Sequence, residues 1–456
     1  MQLKSMLPWL SCWLIGYIIQ TPAECLADQP PNIILILADD HGYGDVSLYQ
    51  RSECQTPHLE NLAQEGLLFT HMRSNCTVCS PSRAAILTGC YPDRVGVPGV
   101  IRTNPEDSWG HFAPFLPTLP EQLKKKNYHT AAIGKWHLGL TSPNLPNERG
   151  FDFFHGFLGD MMDSYTTHLR HQQNYMRHNT QPIDPSGHAT EIFADRTIDY
   201  LENRAKIPTQ PFFLYLAFNA PHFPIEPPAE WLQKVKQRDP ALTEARAKNV
   251  ALVEHLDHHI GRITDKLNQL QLSDNTIVIF TSDNGGSLPH AQNNDPWRDG
   301  KQSHYDGGLK IPFVMRWPKG ISKATRSDYQ GLNFDIYPTL LELAGIEIPN
   351  DIDAVSLVPL LRGESMPTPR ELYFVRREGG PKYAGKAYEA LIYDGWKLMQ
   401  NDPFSPWELY DLKNDPQEKN NLAENQRQKM QDLSRRIQEH IQRAGNIPWQ
   451  RPPAKD

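Results

Sequence analysis

NIILILADDHG, residues 32 to 42, is an almost uninterrupted apolar run that stops on two aspartates, a histidine and a glycine. Continuous apolarity without alternation is the pattern of a strand covered on both faces, as in a parallel sheet flanked by helices. Three other runs end the same way. TAAI (130–133) leads into Gly134-Lys135-Trp136-His137, FFLYLAF (212–218) into Asn219-Ala220-Pro221-His222, and TIVIFT (276–281) into Ser282-Asp283-Asn284-Gly285. Amphipathic stretches lie between them at Thr56 to Gly66, Leu116 to Lys126 and Ala245 to Leu270. IPFVMRW (311–317) adds a strand, and Asp335 to Ala344 adds a helix. The alternation predicts an α/β fold with a mainly parallel sheet sandwiched by helices.

After Pro367 the character changes. ELYFVRR, EALIYDGWKLMQ and PWELYDL read as antiparallel strands, followed by a helix from about Gln426 to Ala444. The expected organisation is a leader at 1–27, a main α/β domain at 28–365 and a smaller α+β subdomain at 366–456. The leader has Lys4 as its positive region, Met6 to Ile19 as its apolar region and Cys25-Leu26-Ala27 as a small-x-small cleavage site. Its apolar run is broken by Pro8 and Ser11 and is short for a span, so no stable membrane span is expected. Export to a bacterial periplasm or the medium is the expected location.

With 456 residues and a formal net charge of −7, the chain has no basic footprint, and nucleic acid is excluded as a partner. Four of its six cysteines lie beyond the leader, too few for a disulfide scaffold, so the core must supply stability. Asn75-Cys76-Thr77 is the one N-glycosylation sequon; it adjoins Cys79, where a glycan would obstruct a site.

In open α/β sheets ligands bind beyond the carboxyl ends of the strands, so the four polar exits can converge on one crevice. Singly, each has an ordinary reading as a turn with capping side chains or a structural histidine. Together, Asp39, Asp40, Asp283 and Asn284 make an all-oxygen set that suits a hard divalent cation, with Ca2+ preferred to Mg2+ for its tolerance of irregular shells. The stretch CTVCSPSRAAILTG (76–89) supplies the remaining candidate. Pro81 suits a first helical turn and Ser80 an N-cap, which places Cys79 at a helix N-terminus, with Arg83 one turn on. That is a site for a thiolate or for an anionic substrate.

Cys79-Ser80-Pro81-Ser82-Arg83, continuing AAILTG, resembles the C-x-P-S-R signature of the type I sulfatases. The resemblance extends to Asp39-Asp40, GKWHLG (134–139), APH (220–222), SDNGG (282–286), GK (300–301) and ELYDLKNDPQEKNNLA (408–423). It implies an alkaline-phosphatase-like fold and oxidation of Cys79 to formylglycine by a maturation enzyme. It further implies that the hydrated aldehyde attacks sulfur, displaces the alcohol and then expels sulfate. Matched residue by residue, Asp39, Asp40, Asp283 and Asn284 resemble the calcium ligands. Arg83 and Lys135 resemble the residues that hold the diol and sulfate, and His137 the one that takes the diol proton. His222 and Lys301 resemble the groups contacting sulfate and the leaving oxygen, and Ser164 a sulfate-contacting serine. The sequence departs from the family where Asp299 replaces a common glycine and where Asp306-Gly307-Gly308-Leu309-Lys310-Ile311-Pro312 replaces an Glu-Gly-Gly-x-Arg-Val-Pro pattern.

The implied activity is that of a sulfuric ester hydrolase acting on sulfated carbohydrate and on small aryl sulfates. The alternatives are a phosphonate or phosphate ester hydrolase of the same superfamily, and a catalytically silent carbohydrate-binding relative. The stretch Gly156 to His188, with Asp160, Asp163, Ser164, His168, Arg170, His171 and His178, is the expected substrate entrance, with Trp297, Trp407 and Arg376 as further rim candidates. Cys76 is expected to be a neutral core or loop residue, or to pair with Cys54 or Cys90.

Overall fold

The computed structural model describes residues 30–50, 52–104, 107–366, 369–378 and 387–448; the leader at 1–27 lies outside them. The strands of the main sheet are β1 (Asn32–Ala38), β2 (Leu67–Phe69), β3 (His129–Lys135), β4 (Phe153–Phe157), β5 (Met176–His178), β6 (Gln181–Pro182), β7 (Phe212–Ala217), β8 (Thr276–Ser282), β9 (Phe313–Arg316) and β10 (Thr325–Ser327). Their spatial order is β10-β2-β9-β8-β1-β7-β3-β4-β5-β6. The five central strands β8, β1, β7, β3 and β4 run parallel, and antiparallel β9 and β5 close them on either side.

The apolar run of β1 is divided by strand alternation. Ile33, Leu35 and Leu37 face one layer, packing with Ala84, Ile86 and Leu87 of the helix Cys79–Thr88 and with Leu340 of the helix Ile336–Leu343. Ile34, Ile36 and Ala38 face the other, against Leu59, Phe193, Leu252 and Leu256 from the helices Pro57–Gln64, Ala189–Ala205 and Glu244–Gln269. Full burial of each such side chain contributes about 1.5–3 kcal/mol, which is why the strand carries no polar residue from Ile33 to Ala38.

Register then fixes the site. Ala38 pairs with Ser282, Leu37 with Ala217, and Gly134 with Ala217, so β1, β8, β7 and β3 end at one level. Asp39, Asp283, His222 and Lys135 leave the sheet along one edge.

A second sheet of β11 (Leu372–Arg377), β12 (Ala387–Tyr393), β13 (Trp396–Gln400) and β14 (Glu408–Asp411) is antiparallel throughout, with the helix Arg427–Ala444 laid over it. Its apolar face packs on Ala85, Leu309 and Phe334 of the main body. A buried ionic lock reinforces that junction: Asp306 accepts from Arg73 at 2.6 Å and from Lys397 at 3.0 Å, and Lys397 pairs with Glu418 at 2.7 Å.

Two expectations are corrected, and the sequon proves inaccessible. The helix begins at Cys79, with Val78 as its N-cap, because the Ser80 hydroxyl is engaged elsewhere, accepting from Ile101 N at 3.1 Å. The pairing of Cys76 with Cys54 or Cys90 does not occur: all are free and buried, and the Cys76 thiol donates to Val375 O at 3.3 Å. Asn75 is fully buried and its side-chain oxygen accepts from Phe334 N at 3.0 Å, so the sequon presents no surface for a glycan. Among the described residues, no helix is long and apolar enough to cross a membrane.

Candidate active site

Cys79 occupies the first turn of a wholly buried helix, pointing at the carboxyl edge of the sheet. Its thiol lies 3.2 Å from Asp39 Oδ1, 3.7 Å from Asp40 Oδ1 and 3.7 Å from Lys301 Nζ. Burial, with Asp283 and Asp39 alongside, holds the thiol well above its ordinary pKa, so an unmodified Cys79 is a poor thiolate nucleophile.

The acidic residues form one tight group. Asp283 Oδ1 accepts from Asp40 N at 3.1 Å, and Asn284 Nδ2 donates to Asp40 Oδ1 at 2.8 Å. Three basic side chains offset the crowded charge. Lys135 Nζ is 2.6 Å from Asp39 Oδ2, and Lys301 Nζ is 2.6 Å from Asp40 Oδ2. Arg83 donates to Asp283 through Nε at 2.9 Å, approaches Asp39 at 3.4 Å and also bonds Lys135 O at 3.1 Å. Against the desolvation that opposes ionisation, Lys135, Arg83 and Lys301 hold Asp39 well below the usual carboxylate range. Asp283 goes the other way: burial and the neighbouring Asp39 push it up to about 7. Asn284 Oδ1 is buried with no partner. A crowded carboxyl and a buried amide oxygen that accepts no hydrogen bond form an all-oxygen donor set, so these residues fit a hard divalent ion.

Two histidines flank the group with opposite tautomers. His137 Nε2 donates to Ile101 O at 2.8 Å, which leaves the lone pair on Nδ1; that atom is buried without a partner. His222 Nδ1 donates to Phe223 O at 2.6 Å, which leaves the lone pair on Nε2, 3.5 Å from Asp40 Oδ2. Burial pushes His222 down to about 4 and His137 well below its ordinary value, so both rings are neutral and can accept a proton. Asp40 (φ 63°) and His137 (φ 59°) hold left-handed backbone, the kind of local strain that collects where side chains must be aimed. Asp299, in place of a glycine common in the family, has φ 64°; its Oδ1 accepts from Gly300 N at 2.9 Å, a local bond of the kind that lets aspartate occupy this region.

Above the group opens a cleft of about 290 Å³ whose wall includes Arg102, Arg170, Arg376, His171, Gln302 and Glu378. Of the expected entrance residues, Asp160, Arg170, His171 and Arg376 reach this wall. Ser164 is placed away from it, bonded to Thr166 Oγ1 at 3.1 Å. Trp407 packs against the core of the second sheet, and Trp297 lies under Lys310 Nζ at 3.5 Å. Arg102, Gln302 and Glu378 were not foreseen; each comes from an unpatterned loop or strand end, and only chain packing brings Arg102 Nη2 to 3.2 Å from Glu378 Oε2.

The family described as Sulfatase matches residues 31–346, and "N-sulphoglucosamine sulphohydrolase, C-terminal" matches residues 296–446. Human N-acetylgalactosamine-6-sulfatase is 35% identical over 369 residues, covering 75% of this chain and 68% of its own. A Bacteroides thetaiotaomicron N-acetylgalactosamine-6-O-sulfatase is 29% identical, covering 89% and 92% respectively. A crystal structure of Ps i-CgsB in complex with k-i-k-neocarrahexaose superposes with a TM-score of 0.83 at 29% identity, covering 91% of this chain and 94% of that one.

Proposed function

The chain belongs to the type I sulfatase family and is a sulfuric ester hydrolase, and from that premise we propose that it desulfates carbohydrates through formylglycine made from Cys79, with calcium held by Asp39, Asp40, Asp283 and Asn284. The observation that carries this reading is the position of Cys79: first in a buried helix, 3.2 Å from Asp39 and 3.7 Å from Lys301. A formylglycine hydrate at position 79 would supply the nucleophile, and a calcium ion held by Asp39, Asp40, Asp283 and Asn284 would supply a Lewis acid for it and for the sulfate oxygens.

The protein's own residues do the rest. Lys135 and Lys301 place two ammonium groups beside the reacting position, where they stabilise the negative charge of a sulfate. Arg83 is committed to Asp283 and Lys135 O, so it acts by fixing those groups and adding positive field. His137 Nδ1 carries the free lone pair and takes a proton from the nucleophilic hydroxyl. His222 Nε2 faces Asp40 at the cleft, and an entering sulfate adds negative charge that favours its protonated form, the form that serves the leaving oxygen. The burial of this group strengthens each interaction by excluding water.

Sulfated sugar is the proposed substrate class, supported by the names of the relatives and by a cleft that presents Arg102, Arg170, Arg376, His171 and Lys301. Residues 28–365 are read as the catalytic domain, 366–456 as the C-terminal subdomain, and 1–27 as an export signal. A maturation enzyme is the implied partner. Peptide mass spectrometry of purified enzyme, with sulfate release from sulfated galactosamine and carrageenan oligosaccharides, tests the proposal. The expected result is formylglycine at position 79 and release from at least one glycan. Full activity with an intact Cys79 thiol overturns the mechanism; turnover of aryl phosphonates in preference to sulfated sugars overturns the substrate class.

A further inference from the structure

On the sheet face away from the Cys79 helix, a second group of metal-ligating side chains converges. Glu191 belongs to the helix Ala189–Ala205, and His255 and His259 stand one turn apart on the helix Glu244–Gln269. His259 Nε2 is 2.9 Å from His255 Nε2, which is 3.3 Å from Glu191 Oε1. Both histidines are buried, whereas the Glu191 side chain is 41% exposed and His258 beside them faces solvent, giving an approach from outside.

Proton placement without a cation leaves this group frustrated. Arg262 Nη1 donates to His259 Nδ1 at 3.0 Å, so the ring proton of His259 is on Nε2 and is directed at His255 Nε2. His255 Nε2 must then accept, which puts its own proton on Nδ1, a buried atom without a partner. The Glu191 carboxylate meanwhile faces a nitrogen lone pair. An extra proton does not resolve the conflict, since burial pushes His255 down to about 2 and His259 down to about 3.

We propose that Glu191, His255 and His259 form a structural site for a borderline divalent cation such as Zn2+, pinning the helix Ala189–Ala205 to the helix Glu244–Gln269. Two imidazoles and a carboxylate are a donor set for zinc and its first-row neighbours, unlike the oxygen group at Asp39. Nitrogens sharing a tetrahedral zinc at bonds of 2.0–2.1 Å lie about 3.3 Å apart, so loading requires the rings to part by only about 0.4 Å. A ring metallated at Nε2 carries its proton on Nδ1, so binding must release Arg262 from His259. Arg262 can leave: its side chain is 38% exposed and already pairs with Asp195 at 2.8 Å.

That competition gives the site a signature. The full-length enzyme, saturated with Ca2+ to occupy the oxygen group, is titrated with Co2+ and followed by visible absorption. One equivalent with the d–d bands of nitrogen and oxygen ligation is expected. His259→Gln should abolish that equivalent and Glu191→Ala should weaken it by at least tenfold, with sulfate release unchanged in both. Arg262→Gln should tighten binding several-fold by removing the competing donor and a nearby positive charge. Since Glu191 is partly exposed and Arg262 lies at the rim, these two variants report even if His259→Gln misfolds. Absence of a stoichiometric Co2+ equivalent overturns the proposal, as does binding indifferent to Glu191→Ala and Arg262→Gln.

Discussion

Lys301 Nζ lies 2.6 Å from Asp40 Oδ2, although 261 residues separate the two in sequence. The contact joins the loop after Gly300 to the first strand's exit, and Asp40 raises the lysine's pKa against the opposing effect of burial. Lys301 is therefore a permanent cation 3.7 Å from Cys79 Sγ.

Removing that cation should affect turnover far more than folding. Lys301→Ala is expected to lower kcat on an aryl sulfate by about 10²–10⁴, the range of a positioned catalytic group, while Tm moves only a few degrees. A kcat within tenfold of the parent would remove Lys301 from the mechanism.

Calcium affinity should depend on pH through Asp283. With its pKa pushed up to about 7 by burial and Asp39, the cation-free enzyme holds a proton there below neutrality, and binding must expel it. Affinity is expected to be constant above pH 8 and to fall towards tenfold per unit below pH 6. Calorimetry in buffers of different ionisation enthalpy should detect proton release at pH 6 and little at pH 8.5. Equal proton release at both would contradict this assignment.

Asp306 makes a stability prediction. Burial alone would raise its pKa, but Arg73 and Lys397 hold it well below the usual carboxylate range. A depressed folded pKa means that its contribution is full above the unfolded value near 3.8 and is lost as pH falls below it. Asp306→Asn leaves Arg73 and Lys397 short of a buried partner and should cost about 3–5 kcal/mol at pH 7. In denaturant melts, the stability difference between variant and parent should start to narrow below about pH 4 and keep shrinking as the pH falls further; a constant difference would exclude the ionic lock.

Gly134, at φ 101°, is the backbone pivot that precedes Lys135. A Cβ there would lie 1.9 Å from Ala217 O on the neighbouring strand. Gly134→Ala should destabilise by at least about 4 kcal/mol, seen as loss of soluble expression or a collapsed Tm. A well-folded variant would show that β3 and β7 can separate locally.

How much of this was legible in the sequence follows from how local each cause is. The runs at 32–38, 212–217 and 276–282 read correctly as strands because burial on both faces keeps their middles apolar, with polar residues only at the strand ends. The helix starts two residues earlier than expected because Ser80 has the chemistry of an N-cap, but its hydroxyl is claimed by Ile101 from a distant loop. The suggested pairing of Cys76 failed because thiol separation is a property of packing, not of local pattern.

The chain by itself determined the α/β architecture and the polar strand exits, since hydrophobic periodicity and strand length are written residue by residue. It also determined Cys79 at a helix start, through Pro81 and the turn that follows. The tertiary structure alone decided that Arg83 is spent on Asp283, that His137 and His222 keep opposite nitrogens free, and that Arg102 and Glu378 join the cleft wall. Hydrogen-bond partners across hundreds of residues are set by sheet register and loop packing, and these arise only when all strands pair at once.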